Sequence, residues 1–382
     1  MPHTRKTRNL HEEMKEENKP DYLSALPDDF FGVYLFSFLT PSEEAQLAKT
    51  SQRFFNLPEG RKAVREEVLE FNNQLRQLLW FVAHGKKRQA EALISQNPLL
   101  LLAEAQTSDF SYYYRNGKRY QRRILGAPLG IALGAEDVNL YDKEGKKLLG
   151  EGMVEMILRH LRRLPEGEEV IARQMLKQFP KGWEAREKKR QVADLHALLQ
   201  VRQAIKNSSY NADCQAAILE FINHLAPKAL ITEGKHWNAN LLQSALELGH
   251  LGYFHDPRKD NLYYNFIVAY IQTLAPANFA MAQAQGLKEL LDQGKYFKRK
   301  LKYLRSAGEY YPLCSEPGSR LGIDAWVDPY QGAIGGSAQA SRWGLGRDLP
   351  SLYFQNYLEA KTAVLQQIIA QLNHPSRRCV VM

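Results

Sequence analysis

Cys379, Val380, Val381 and Met382 place a thiol four positions from the end of the chain, ahead of two aliphatic residues and a methionine. That order suits S-alkylation of the cysteine by a prenyl group, and a terminal Met favours farnesyl. The other two cysteines, Cys214 and Cys314, stand in no catalytic-cysteine signature. All three are too scattered for a disulfide framework or a metal-ligand spacing. His84, His160, His196, His224, His236, His250 and His255 are equally dispersed, with no nucleophile motif beside them. His255-Asp256 before Pro257 reads as a turn. Asp324 and Asp328 lack calcium-loop spacing, and no Gly-Lys-Ser/Thr follows the glycines of 314–350. The expected chemistry is lipid attachment at Cys379, with no catalytic residue, metal or cofactor. An activity assembled from distant positions in residues 184–372 is the alternative.

Prenyl transfer by a farnesyltransferase is eukaryotic cytosolic chemistry, so the motif predicts a chain made in, or delivered into, such a cytosol. The first twenty residues, MPHTRKTRNLHEEMKEENKP, have no apolar core of a secretory signal. No run approaches the roughly 18 apolar residues of a membrane span. Arg377 and Arg378 precede Cys379 and would add attraction to an anionic leaflet. The chain has 382 residues, enough for two or three domains. Its net charge of +9 is uneven: residues 1–57 carry −2 and the remainder +11. A basic body suits an anionic membrane surface or an acidic partner; without a nucleic-acid motif, no nucleic acid is expected.

The elements that would position these groups begin after a charged, disordered tail over 1–20. Leu26-Pro27 followed by Asp28 and Asp29 marks a helix start, since Pro fixes φ and acids favour the positive helix end. FFGVYLFSFL, residues 30–39, is apolar almost all round, too much so for a surface helix. Thr40-Pro41-Ser42 ends that helix and caps a second one carrying Ala45, Leu47 and Ala48. A unit of about thirty residues cannot bury so much apolar surface alone, which implies a partner. These residues, with Ser51, Arg53, Phe54 and Leu57, resemble the F-box, the segment by which substrate receptors dock on the Skp1 adaptor of cullin-type ubiquitin ligases. The resemblance implies Skp1 contact through Leu26, Pro27, Phe30, Phe31, Leu35, Phe36, Leu39, Leu47, Arg53 and Phe54 in an F-box domain over 21–60.

From 61 to 183 the chain is helical with glycine turns. LLWFVAHGKKRQAEALISQNPLLLL, 78–102, reads as a helix, a turn at Gly85 and a second helix ending before Asn97-Pro98. GAPLGIALGAEDV (126–138) and GEGMVEMILRHL (150–161) repeat the plan, with the helix entry at Gly150 or Gly152. The region resembles degenerate ankyrin repeats, a scaffold for binding rather than chemistry; a plain helical bundle is the other reading. SYYYRNGKRYQRR, 111–123, interrupts it as a hairpin or an extended loop.

Residues 184–372 form a helical C-terminal domain, with apolar residues at three- and four-residue spacing in KKRQVADLHALLQVRQAI and the segments after it. KYFKRKLKYLR, 295–305, reads as an amphipathic helix whose basic residues, Arg299 among them, face solvent, a membrane or an acidic partner. Residues 314–350 form one long irregular loop braced by Trp326, Tyr330 and Trp343. A last helix, 352–372, leads to the tail, 373–382. The fold expected is mainly α: an F-box helical hairpin, an ankyrin-like middle and a helical C-terminal domain.

F-box, ankyrin-like middle and prenyl box together resemble F-box effectors that intracellular bacterial pathogens inject into host cells. PLCSEPGSRLGIDAWVDPY and LYFQNYLEAKTAVLQQI look like a C-terminal domain shared among them. The resemblance implies a non-catalytic receptor that joins Skp1 and the cullin core to an unknown host target, at a membrane reached through a farnesyl group. A scaffold that uses the adaptor without ubiquitination is the further alternative.

Overall fold

The structure, a computed structural model, describes residues 58–115, 118–140, 151–180, 183–209, 211–227, 230–251, 254, 256–285, 287–291, 297, 299 and 349–373. The chain divides into two compact units, Met1–Asn73 and Gln74–Met382, so the expected boundary between residues 183 and 184 falls inside the second. The described part of the first unit, residues 58–73, is helical. The described chain is mainly α, with one two-stranded sheet.

Helix α1, Pro58–Ala83, ends in the pattern Leu75, Leu78, Leu79, Val82, all of them buried. Three- and four-residue spacing puts them on one face. Gly85 turns the chain with a φ of +64°, a conformation that suits glycine because it has no Cβ. Helix α2, Lys87–Gln96, then turns Ala90 and Ile94 inward. Pro98 stops it, and a short 3-10 turn, Pro98–Leu102, buries Leu100 and Leu101.

The aromatic-basic stretch is a hairpin. Strands β1, Ala105–Arg115, and β2, Lys118–Gly126, pair antiparallel from Ala105↔Gly126 to Arg115↔Lys118, with a slip in register between Ser108 and Tyr112. Asn116-Gly117 separates the strands, the residue pair that two-residue connections favour. Ile231 adds a parallel bridge at the outer edge of β2, accepting the Leu125 amide at 2.8 Å and donating to the Arg123 carbonyl at 3.1 Å.

Helix α3, Pro128–Gly134, starts on a proline and is buried on every side. Helix α4, Met153–Leu161, starts directly after Gly152, whose amide donates to Asn139 Oδ1. Helix α5 is Gly167–Gln178. Then come α6 (Trp183–Asn207), α7 (Asn211–Leu225), α8 (Ala239–Leu251) and α9 (Pro257–Leu262). A π-helical turn, Tyr263–Val268, joins α9 to α10 (Ala269–Thr273); α11 (Ala277–Gln285), α12 (Leu287–Leu291) and α13 (Leu349–Asn373) follow.

A single core draws Leu198 from α6, Phe221 from α7, Ile271 from α10, Phe279 from α11 and Tyr357 from α13, with Phe110 from the hairpin. Trp237 lies among them, edge-on to Phe279 with ring centroids 5.0 Å apart, its Nε1 donating to the Ile271 carbonyl at 3.1 Å. Satisfying the indole N–H lets so large a ring be buried.

The basic segment 295–305 is described only at Phe297 and Arg299, and neither residue is helical. Phe297 belongs to the core, and Arg299 is buried against Asp137. The expectation that Arg299 lies on a basic face toward solvent or membrane is therefore corrected. Its long apolar stem can be buried once a carboxylate offsets the cost of desolvating the guanidinium.

Candidate functional site

Four clusters of polar groups among the described residues bear on the site. The first lies under the hairpin. Arg122 and Ile124 stand two apart on β2, so both point to the same face, and both are buried. Arg122 Nε donates to Asp109 Oδ2 at 2.7 Å, and Nη2 reaches the same carboxylate and Ser111 Oγ. Nη1 donates to the carbonyls of His236 and Leu274 at 2.6 and 3.0 Å. Ser111 Oγ in turn donates to the Ala275 carbonyl at 2.8 Å. The guanidinium thus ties the slipped part of β1 to the end of α10, with a bond from each of its three nitrogens.

The second is the turn after α3, where Glu136 sits at a φ of +52°. Its carbonyl accepts Lys361 Nζ from α13 at 2.7 Å and Asn278 Nδ2 from α11 at 3.0 Å. Glu136 Oε1 is 2.5 Å from Lys235 Nζ, close enough for an ion pair but without a hydrogen-bonding angle. Asp137 takes both ends of the Arg299 fork at 2.6 Å. Burial alone would raise the Asp137 pKa, but the charge and hydrogen bonds of Arg299 outweigh it and hold the carboxyl below its usual range. Burial pushes the Lys361 ammonium down to about 8, against the pull of Asp137 and Glu136. Its Nζ also lies 5.0 Å from the Phe279 ring centroid and 5.3 Å from that of Tyr357, cation–π distances. Glu155 is raised by burial, and burial raises the Tyr357 phenol too.

Close to both centres, burial drives the His236 imidazole down to about 3, so the ring is neutral. A Cβ on Gly134 would collide with this ring and with the Gln178 amide. Glycine here is a requirement of close approach.

A third cluster is partly exposed. Arg159 on α4 donates to Glu151 at 3.0 Å and to Glu91 on α2 at 2.6 Å, while Lys87 holds Glu151 at 2.9 Å. The Arg159 hydrogen bond, helped by Lys87, keeps the Glu151 carboxyl at about 2. Pairs this wet add little stability, and their arrangement fixes α2 against α4.

The fourth is a carboxylate–imidazole pair. Asp194 on α6 is 2.9 Å from His224 Nε2 on α7, and its other oxygen accepts Asn238 Nδ2 at 2.8 Å. Asn238 Oδ1 accepts the Leu241 amide, so Asn238 caps α8. The carboxylate joins three helices. No local pattern signals the pairing, because 30 and 44 residues separate the partners.

No group of three or more His, Cys, Asp or Glu able to hold a metal occurs among the described residues. Among them, no helix is long and apolar enough to cross a membrane. The residues singled out from sequence lie outside the described ones: Leu26, Pro27, Phe30, Phe31, Leu35, Phe36, Leu39, Leu47, Arg53 and Phe54, and equally Arg377, Arg378 and Cys379. The same holds for Cys314 and residues 314–348. Cys214 is buried on α7.

No family model, no curated protein and no solved structure matches the chain.

Proposed function

We propose that the protein is a non-catalytic substrate receptor: residues 21–60 dock on Skp1, the helical body holds a target, and a farnesyl group on Cys379 keeps the complex at a membrane. The observation that carries this reading is the ordered set Leu26-Pro27, Leu35-Phe36-Ser37-Phe38-Leu39, Pro41, Arg53-Phe54, a largely apolar helical pattern with more apolar surface than a thirty-residue unit can bury alone. Gathering ligase and target raises their effective concentration, so transfer of ubiquitin asks no acid, base or metal of this chain. The delivery route is the host cytosol of an intracellular bacterium, where farnesyltransferase is present. A single prenyl chain binds membranes reversibly, and Arg377 and Arg378 add about 1 kcal/mol each near an anionic leaflet.

Purified protein should bind Skp1 directly, and the double substitution Leu26→Ala/Pro27→Ala should weaken binding by a few kcal/mol, as loss of a buried anchor does. Failure of the wild type to bind, or equal binding by the variant, rejects the receptor. In eukaryotic cells Cys379→Ser should move the protein off membranes while Skp1 binding persists. A cullin in the recovered complex, with a ubiquitinated neighbour, separates the receptor from a scaffold or an enzyme confined to residues 184–372.

A further inference from the structure

Helix α6 buries one face and leaves the other open. Leu198, Val201 and Ile205 enter the core. Its acids Glu187 and Asp194 are buried on that side, the first against Arg190 and the second against His224 and Asn238. On the far side Val192, Leu195 and Leu199 are 70%, 39% and 46% exposed. A spacing of three then four residues is the seam by which one helix receives another. Continued in both directions, the spacing reaches exposed Lys188 before the apolar centre and, after it, half-buried Arg202, 5.3 Å from the Phe254 ring centroid, and then exposed Lys206. The Lys206 carbonyl also holds Lys259 Nζ at 2.7 Å, a second cation at that end. None of the exposed side chains described on α6 is acidic.

We infer that this seam docks one amphipathic helix of a protein partner, apolar at its centre and acidic at both ends. The two lysines stand about 27 Å apart along the axis, so the partner needs roughly five turns to meet both. Charge complementarity selects the partner and excludes others. A second copy packed antiparallel would set Lys188 against Lys206, cation on cation. A lipid surface would be met by a broader apolar face with large anchoring side chains, and this one is a single heptad of aliphatics. Helix-in-groove recognition reads such anchors at these intervals, with flanking charge setting orientation. The inference names the kind of target that the receptor reading leaves open; it rests on that reading for its purpose but not for its test.

The probe is a fluorescein-labelled helical peptide of about 21 residues, with Leu at its central seam positions and Glu in its first and last turns. A Lys-for-Glu version is the control, and both are titrated against the purified full-length chain. The Glu peptide should bind at about micromolar Kd and weaken severalfold between low and physiological salt, and the Lys peptide should bind at least about tenfold more weakly. Leu195→Asp with Leu199→Asp should lose about tenfold or more, and Lys188→Glu with Lys206→Glu should reverse the preference between peptides. All four positions are exposed, so circular dichroism should be unchanged. Equal binding of the two peptides, or full binding by the double Asp variant, overturns the inference. A dimer in light scattering that Leu195→Asp dissolves would put a second copy on the seam, and displacement of the peptide by anionic vesicles would put lipid there; either overturns it. Skp1 binding by the same variants should stay intact. If even the wild type fails to bind Skp1, the receptor reading falls while the peptide result stands.

Discussion

Asp109 and Asp137 are each buried beneath an arginine, and the two sites do it differently. Asp109 and Arg122 are 13 residues apart on facing strands. Arg122 spends a bond from every nitrogen on that carboxylate, on Ser111 and on two carbonyls. Asp137 and Arg299 are 162 residues apart, and Lys361, which shares their pocket, is 225 residues from the carbonyl it holds. There the Tyr357 hydroxyl and Asn278 Oδ1 are buried without a hydrogen-bond partner. Each site desolvates charge and recovers the cost through geometry. The hairpin site takes three of its five guanidinium bonds from Asp109 and Ser111 across one hairpin and the other two from carbonyls 114 and 152 residues away. The turn site depends on segments brought together from across the chain, so its stability is that of the whole unit. Local pairing should be robust to changes far away, and long-range pairing should not.

The sharpest way to break the contrast is Arg122→Met. Asp109 would stay buried without its guanidinium partner and the His236 carbonyl would lose its donor, while Ser111 Oγ still donates to the Leu274 carbonyl, a loss of about 3–5 kcal/mol. Urea unfolding at pH 7 measures it. A loss below about 1 kcal/mol would mean that the buried charge tolerates the missing partner and that the hairpin site is no anchor.

Arg299→Met should cost somewhat less, about 3 kcal/mol, because the Lys361 charge still favours ionised Asp137. Adding Asp137→Asn should restore part of that loss, since the stranded charge is gone. A double-mutant cycle with no coupling between these two positions would remove the distinction drawn here.

A third effect, of similar size, shows only in the pH dependence. The folded Lys361 pKa is about 8 against an ordinary 10.5. Between those values the unfolded chain keeps a proton that the folded chain has released, so stability rises with pH across that window. Below about pH 8 burial of the ammonium costs its full amount. The wild type should therefore gain on Lys361→Met by about 3 kcal/mol between pH 8 and 10.5. Parallel curves for the two proteins over that range would show that Lys361 titrates normally.

Much of the helical plan was legible. The glycine turn at Gly85, the helix stop at Asn97-Pro98, the helix entry near Gly152 and the last helix, 349–373 against an expected 352–372, follow from backbone preferences that a few neighbouring residues decide. Residues 111–123 by themselves read as a hairpin or an extended loop, and Asn116-Gly117 after a run of tyrosines is the signal that favours the hairpin. Arg122 was legible too in principle: it shares the parity of buried Ile124, and a cation on that face asks for a facing carboxylate. A basic amphipathic run reads as a surface face, so the burial of Arg299 is invisible in its window, which holds nothing that reveals Asp137. The pairing of Asp194 with His224 and Asn238 was hidden in the same way.

The sequence by itself determined the helical class and the turn positions, because periodicity, glycine and proline act over a few residues. Only the tertiary structure decided which charges are buried, with what partners, and which face of α6 is left open. Those outcomes depend on contacts between residues tens to hundreds of positions apart, where desolvation and pairing are settled by packing rather than by residue type.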